Sequence, residues 1–201
     1  MTREIQYDEV FDAQKHYRIL LDSMARPGKI SLLSLPELNP PAGIHGAGVL
    51  TGFALLNADA GFTVLGDEKG NITDYLVLNT AARPVGHALA DFLFLPGGKE
   101  WAEIKELKTG TLSYPEDSAT LVIAAEEISA FPITNAVAII LKGPGVEGEK
   151  KIYISGLHVS ILETLQIQNL EFPLGLDAIV TDRKDQVVCI PRTSKMTIMT
   201  S

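Results

Sequence analysis

The sequence has few of the residues from which catalytic and metal sites are usually built. It contains a single cysteine, Cys189, which excludes an intrachain disulfide and a metal site built on cysteines. Its four histidines, His16, His45, His87 and His158, are scattered, without the HExxH or HxH spacing of a metal site. Each histidine is therefore predicted to be a surface or packing residue, and no metal is expected.

Phosphate-binding and nucleophile motifs are also missing. No stretch matches G-x-x-x-x-G-K-[ST], and no G-x-S-x-G nucleophile elbow is present. Residues 142–148, KGPGVEG, match G-x-G-x-x-G only superficially, because Pro144 separates two of the glycines and a strand is predicted to follow. We predict a hairpin connection there. Cys189 lies in the apolar run VVCIP, where we expect a buried thiol and not a nucleophile.

Basic clusters and long apolar runs are absent as well. The formal net charge of −8 and the pI near 5.0 argue against nucleic acid as a partner. No apolar run reaches the roughly 18 residues that a membrane helix requires, and the first residues lack the apolar core of a signal peptide. The sequence therefore predicts a soluble cytoplasmic protein that binds neither nucleic acid nor membrane.

Helix and strand patterns alternate along all 201 residues. Apolar residues three and four apart predict helices over about residues 8–25 and 157–170. Short apolar runs rich in β-branched residues predict strands, the clearest at residues 119–125. Because there is no internal repeat and no linker-like composition, we predict one domain over residues 1–201, an α/β fold with a mixed sheet.

The C-terminal part of the chain predicts a hairpin with an unusual exit. Residues 178–180 and 187–190 are predicted strands joined by a polar turn. Pro191 ends the second strand because it has no N–H to donate. Arg192 follows at the strand end, where functional side chains of α/β folds often collect. The residues from Ser194 onward are predicted to fray.

Two stretches resemble the end signatures of the PhnH family, the H subunit of the bacterial carbon–phosphorus lyase machinery. They are FDAQKHYRILLDSMARPG near the start, and FPLGLDAIVTD followed by VVCIPRT near the end. The positions that match the signatures are Asp12, Gln14, Arg18, Pro27, Gly28, Phe172, Pro173, Gly175, Asp177, Pro191, Arg192 and Thr193. The resemblance covers nearly the whole chain in length and order, so membership in this family is expected.

The resemblance implies a three-layer α/β/α fold, similar to that of pyridoxal-phosphate-dependent transferases but without the cofactor site. It implies an auxiliary subunit whose partners are the G, I and J subunits of a core complex, and functionally also the L subunit. That assembly forms a ribose 1-phosphonate 5-triphosphate from ATP and a phosphonate. The resemblance also implies a homodimer for the free chain. It carries over no catalytic residue and no cofactor, so the chain alone is not expected to be catalytic.

The sequence offers arginines for contacts with anions or partners, because a guanidinium binds phosphate or carboxylate oxygens in a bidentate fork. Arg18, Arg26 and Arg192 are the candidates, and Asp177 is a further candidate interface residue. A stand-alone dimer that binds a phosphonate or nucleotide through these arginines is the alternative function. The signature positions expected to shape the backbone are Pro27, Gly28, Pro173, Gly175 and Pro191.

Overall fold

The computed structural model describes residues 7–35 and 38–199 as a mixed α/β fold with two sheets. The helices of this part of the chain are α1 (Phe11–Ala25), α2 (Gly46–Leu55), α3 (Asn71–Thr80) and α4 (Val159–Gln168). The strands are β1 (Ser31–Leu32), β2 (Gly61–Val64), β3 (Arg83–Pro84), β4 (Phe92–Pro96), β5 (Thr120–Ala124), β6 (Glu127–Ser129), β7 (Ala136–Lys142), β8 (Lys150–Ser155), β9 (Asp177–Thr181), β10 (Gln186–Ile190) and β11 (Lys195–Met199). Each described helix is too short or too polar to span a bilayer.

The main sheet has seven strands in the order β1-β10-β9-β5-β4-β2-β3. From β9 to β3 neighbouring strands are parallel, and their apolar runs, such as FLFL in β4 and LVIA in β5, are typical of strands buried on both faces. β10 joins β9 as the antiparallel partner of the predicted hairpin, with Val188 opposite Val180. β1 adds a short antiparallel edge. The prediction of a mixed sheet is therefore confirmed.

Different elements cover the two faces of the main sheet. Helices α1, α2 and α3 pack Leu20, Leu50 and Leu76 against one face. The other face is covered by α4 and by a second, antiparallel sheet with the order β11-β7-β8-β6. Where the resemblance implies a second layer of helices, the structure therefore has mainly a small sheet. The sequence of β8 suits such a sheet because buried residues alternate with less buried ones: Ile152 and Ile154 point into the core while their neighbours point away. The similarity to pyridoxal-phosphate-dependent transferases stays a prediction.

Residues 194–199 do not fray as the sequence predicted, and the last two residues of that prediction lie outside the described part of the chain. β11 pairs along its whole length with β7, from Lys195 opposite Lys142 to Met199 opposite Ala138. Its side chains alternate, with Met196 and Ile198 packed against the core and the others exposed. The prediction failed because the partner strand lies more than fifty residues earlier, where no local pattern announces it.

We expect substitutions on the two sides of β11 to differ in their effect on the free energy of unfolding, because side chains on one side contact the core and those on the other are exposed. Ile198→Asp should lower the free energy of unfolding by about 2–3 kcal/mol, because it places a carboxylate against apolar core residues. The matched control Thr197→Asp, on the exposed side of the same strand, should change it little. Thermal unfolding followed by circular dichroism measures both variants. Equal losses in the two variants would contradict the burial of Ile198.

Candidate functional site

The two signature stretches meet at the turn between β7 and β8, residues 143–146. The N–H of Gly28, at φ +79°, donates to the Cys189 carbonyl at 3.4 Å, which joins the end of α1 to β10. Gly145, at φ +78°, lies so close to the Ala25 carbonyl that a Cβ would not fit. The turn therefore packs backbone against backbone. The hairpin interpretation of this segment is confirmed, since β7 and β8 pair antiparallel on either side of it.

Arg192 binds groups of its own chain. Its guanidinium donates to Asp177 Oδ2 at 2.8 Å and to the Pro115 carbonyl at 2.7 Å, and its backbone N–H donates to Asp177 Oδ1 at 2.7 Å. The two side chains are only 15% and 19% exposed. Two of the four candidate contact residues therefore satisfy each other, and they tie the end of β10 to the start of β9.

Arg192 also lies at the opposite edge of the sheet from the one expected. Ligand crevices of open α/β sheets form outside the carboxyl ends of the parallel strands. β10 runs antiparallel to β9, so its carboxyl end lies beside Asp177, at the amino end of β9. Arg192 lies at the amino ends of the parallel strands because the hairpin reverses β10, and its role as a contact residue stays a prediction.

The other two arginines differ in their partners. Arg26 forms an ion pair with Asp22, which also accepts from Lys29 Nζ at 2.5 Å. The Lys29 hydrogen bond is the main reason that the pKa of Asp22 is lowered. Arg18 is exposed and has no ion pair among the described residues. Arg18, Arg26 and Arg192 line three separate surface concavities, so the structure does not assemble them into one anion site.

A groove of 560 Å³ lies beside the C-terminal signature, between α4 and the exit of β10. Phe172, 65% exposed, lines it together with Thr193. Within the described part of the chain, the Lys195 ammonium has no ion pair and the buried Ser194 Oγ has no hydrogen-bond partner. The groove thus combines an apolar wall with the ammonium of Lys195, while the Ser194 hydroxyl is shielded from solvent.

A smaller cavity, of 130 Å³, lies at the carboxyl ends of the parallel strands, where such crevices are expected. Glycines 43, 48 and 66 leave room for it, and Phe94 and Ile72 supply apolar wall. Its acid, Asp67, accepts from the Thr73 backbone N–H and hydroxyl, both at 2.8 Å, and so caps α3. The cavity therefore suits a small, largely apolar group. The signal in the sequence was the small-residue stretch GIHGAG, residues 43–48, which leads into the first turn of α2.

Two further acids at this edge also have structural partners. Asp182 is fully buried and accepts from the backbone N–H groups of Ile128 at 2.9 Å, Lys184 at 2.8 Å and Gln186 at 2.9 Å. Asp185 lies at the start of α2, where burial raises its pKa and a hydrogen bond from the Ala47 backbone opposes the rise. Because these acids hold the backbone, neither is arranged as a general base.

Neither a cluster of metal ligands nor an accessible cysteine is formed by residues 7–35 and 38–199. No group of three or more histidine, cysteine, aspartate and glutamate side chains there is placed to hold a metal ion. Cys189 is fully buried, and burial raises the pKa of its thiol well above the usual range. Its interpretation as a core residue is confirmed, since a thiol without thiolate character is a poor nucleophile.

His16 gives the fold a predictable response to pH. It is fully buried in α1, and burial lowers its pKa more than the Ser34 backbone and Asp12 raise it. The imidazole of His16 has a pKa of about 6.5 in the unfolded chain and a lower pKa in the folded chain. As the pH falls below 6.5, the imidazole is therefore protonated more readily in the unfolded chain, and the free energy of unfolding falls by up to about 1.4 kcal/mol per pH unit. Urea unfolding between pH 7.5 and 5.5 measures this loss. His16→Gln should flatten the dependence, and a slope unchanged by His16→Gln would refute the assignment.

The described residues form a mixed α/β protein in which residues of both signatures join elements of the chain to each other. Three of the four predicted contact residues are paired inside the chain, and no group of three or more metal-ligating side chains comes together among the described residues. The features that could bind another molecule lie on the surface and are open grooves and exposed apolar side chains.

The particular family follows from comparison with known proteins. A family model described as "Bacterial phosphonate metabolism protein (PhnH)" matches residues 6–197, so the chain belongs to the PhnH family. The chain is 29% identical over 191 residues to "Alpha-D-ribose 1-methylphosphonate 5-triphosphate synthase subunit PhnH" of Rhizobium meliloti (strain 1021), covering 94% of this chain and 92% of the relative. It is also 28% identical over 109 residues to "Putative C-P lyase subunit protein HtxG" of Stutzerimonas stutzeri, covering 54% and 52%.

Proposed function

We propose that this chain is an auxiliary subunit of the carbon–phosphorus lyase assembly, without catalytic activity of its own. Its family membership and a relative named as a synthase subunit support this role most directly. The assembly would form a ribose 1-phosphonate 5-triphosphate from ATP and a phosphonate. The partners proposed are the G, I and J subunits, and functionally the L subunit, in the cytoplasm. The free chain would be a homodimer.

The surface of the chain supports a role in contacts. Large apolar side chains are exposed at several places, among them Phe11 at 74%, Leu112 at 78%, Phe131 at 77% and Leu170 at 77%. Single exposed apolar residues are normal, but grouped ones favour interaction sites. Leu170 and Phe172 are such a group, because both line the groove beside the C-terminal signature.

Co-expression with the G, I and J subunits of the same genome tests the proposal. We expect the chain to co-elute with them in size-exclusion chromatography as one large assembly, with its mass identified in the peak. If the other subunits assemble while this chain elutes as a free monomer or dimer, the proposal is refuted.

The alternative function, binding of a phosphonate or nucleotide by the isolated chain, has one favourable observation. The groove of 560 Å³ offers the ammonium of Lys195, which is exposed, to an anion. Isothermal titration of the isolated chain with ATP and with methylphosphonate tests it. Binding that is lost in Lys195→Ala would support this alternative, and the absence of heat with both ligands would remove it.

A further inference from the structure

The outer side of α1 carries exposed residues at the spacing of a helix–helix seam. They form a ridge that we call the outer ridge: Phe11, Gln14, Arg18, Leu21 and Ala25. Their separations of three, four, three and four residues follow one side of a helix, as the a and d positions of a coiled coil do. The opposite side of α1 buries His16, Leu20 and Ser23 against the rest of the chain. The helix therefore has two lines of possible contact residues, and the part of the chain that the structure describes buries only one of them.

The outer ridge is more apolar than a solvated helix face. Phe11 is 74% and Leu21 is 55% exposed, and Leu32 on the neighbouring β1 is 60% exposed. A surface helix of a globular protein ordinarily presents charged and polar residues on this side. The apolar residues at both a-type and d-type positions of the ridge therefore indicate a surface that is covered in an assembly.

The ridge is also rigid before any partner arrives. Asp8 Oδ1 accepts from the backbone N–H groups of Val10 and Phe11, both at 2.8 Å, and the Asp8 N–H donates to Asp12 Oδ2 at 3.0 Å. These bonds cap the first turn of α1. At the other end, the Gly28 N–H anchors the helix exit to β10. A helix fixed at both ends loses little conformational freedom on binding.

The charge at the centre of the ridge indicates the chemistry of the partner. Arg18 is the middle residue of the five, and it has no ion pair among the described residues, whereas Arg26 and Lys29 share Asp22. An arginine buried in an interface needs a carboxylate opposite it, because an unpaired charge removed from water is costly. The occupant must therefore bring an acidic residue to the middle of an otherwise apolar contact.

We propose that the outer ridge docks a helix of another subunit of the assembly, with a carboxylate of that helix opposite Arg18. The inference rests on the proposed function. The two helices would cross at about 20°, as expected for seams of this spacing. A second copy of this chain does not fit, because full overlap of two ridges, parallel or antiparallel, sets Arg18 against Arg18. Like charges in contact disfavour a partner strongly.

Two ridge variants with matched controls test the inference in the co-expression experiment. Arg18→Glu should weaken association with the partner subunit by about 100-fold or more, because it places a carboxylate opposite the carboxylate of the partner. Leu21→Ser should weaken association by about 10-fold, because it removes an apolar contact. The controls are Lys105→Glu, which makes the same charge change at an exposed position, and Leu112→Ser, which removes an equally apolar exposed side chain. All four variants should unfold at the temperature of the unmodified chain, since each side chain is exposed.

A cross-link identifies the occupant directly. Cys189 is fully buried, so Leu21→Cys supplies an accessible thiol that a photoactivatable maleimide can label selectively. In the assembly, the label should couple to a helix of a G, I or J subunit. Coupling to a second copy of this chain would overturn the inference.

The outcomes separate the two proposals. If the unmodified chain and both ridge variants all co-elute with the other subunits, the ridge inference is overturned and the proposed function stands. If the ridge variants alone are lost from the assembly, both stand. If the unmodified chain never enters the assembly, both are overturned together.

Discussion

Replacing Asp182 by alanine is expected to lower the free energy of unfolding by about 3–5 kcal/mol, because three backbone N–H groups, that of Ile128 buried, lose their common acceptor. The carboxylate is fully buried and binds N–H groups from the β9–β10 turn and from Ile128 at the start of β6. It therefore ties the main sheet to the second sheet. For a chain of this size the loss corresponds to a fall in melting temperature of about 10 °C.

Two further variants make the Asp182 prediction specific. Asp182→Asn keeps an oxygen for Lys184 and Gln186 but turns an amide N–H toward the N–H of Ile128, so an intermediate loss is expected. Arg183→Ala, next in sequence, removes only an exposed ion pair with Glu126 and should change little. Urea denaturation gives all three values. A loss for Asp182→Ala as small as that for Arg183→Ala would contradict the assigned role.

Arg192→Ala is expected to cost about 2–3 kcal/mol, because it removes two side-chain hydrogen bonds and leaves Asp177 without its cation. The pair is mostly buried, and it closes the junction between β9, β10 and the loop at Pro115. Arg192→Lys should recover only part of the loss, because an ammonium cannot reach two acceptors as a planar fork does.

A double-mutant cycle tests whether Arg192 and Asp177 act as one unit. We expect Asp177→Ala with Arg192→Ala to cost little more than either change alone, which gives a coupling of about 1–3 kcal/mol. Strict additivity in chemical denaturation would show that the pair does not interact. Because the pair supports the fold, a loss of ligand or partner binding in Arg192→Ala alone would not identify a contact residue.

Local patterns predicted the parts of this fold that depend on neighbouring residues. The β9–β10 hairpin follows from two apolar runs separated by a polar turn, and α1 follows from apolar residues three and four apart. The β7–β8 hairpin was predicted for the same reason, because a strand and not a helix follows KGPGVEG. In each case the pairing partners lie within about twenty residues.

The remaining features depend on where distant segments meet. β11 is ordered by β7, more than fifty residues earlier, so its own sequence appeared to be a free end. The position of Arg192 depends on the direction of β10 within the sheet, which strand propensity does not encode. The cavity at the carboxyl ends of the strands depends on the order β5-β4-β2, and the unpartnered side of α1 becomes visible only when the burial of each residue is known.

The position of β10 between β1 and β9 fixes when the protein can finish folding during its synthesis. β1 ends at Leu32, and its pairing partner begins at Gln186, so an edge strand from the first sixth of the chain waits for the last tenth. At about 5–20 residues per second, the ribosome leaves β1 without its partner strand for roughly 10–30 seconds. A message cut short before the codon for residue 186 would therefore yield a chain that no later event can complete.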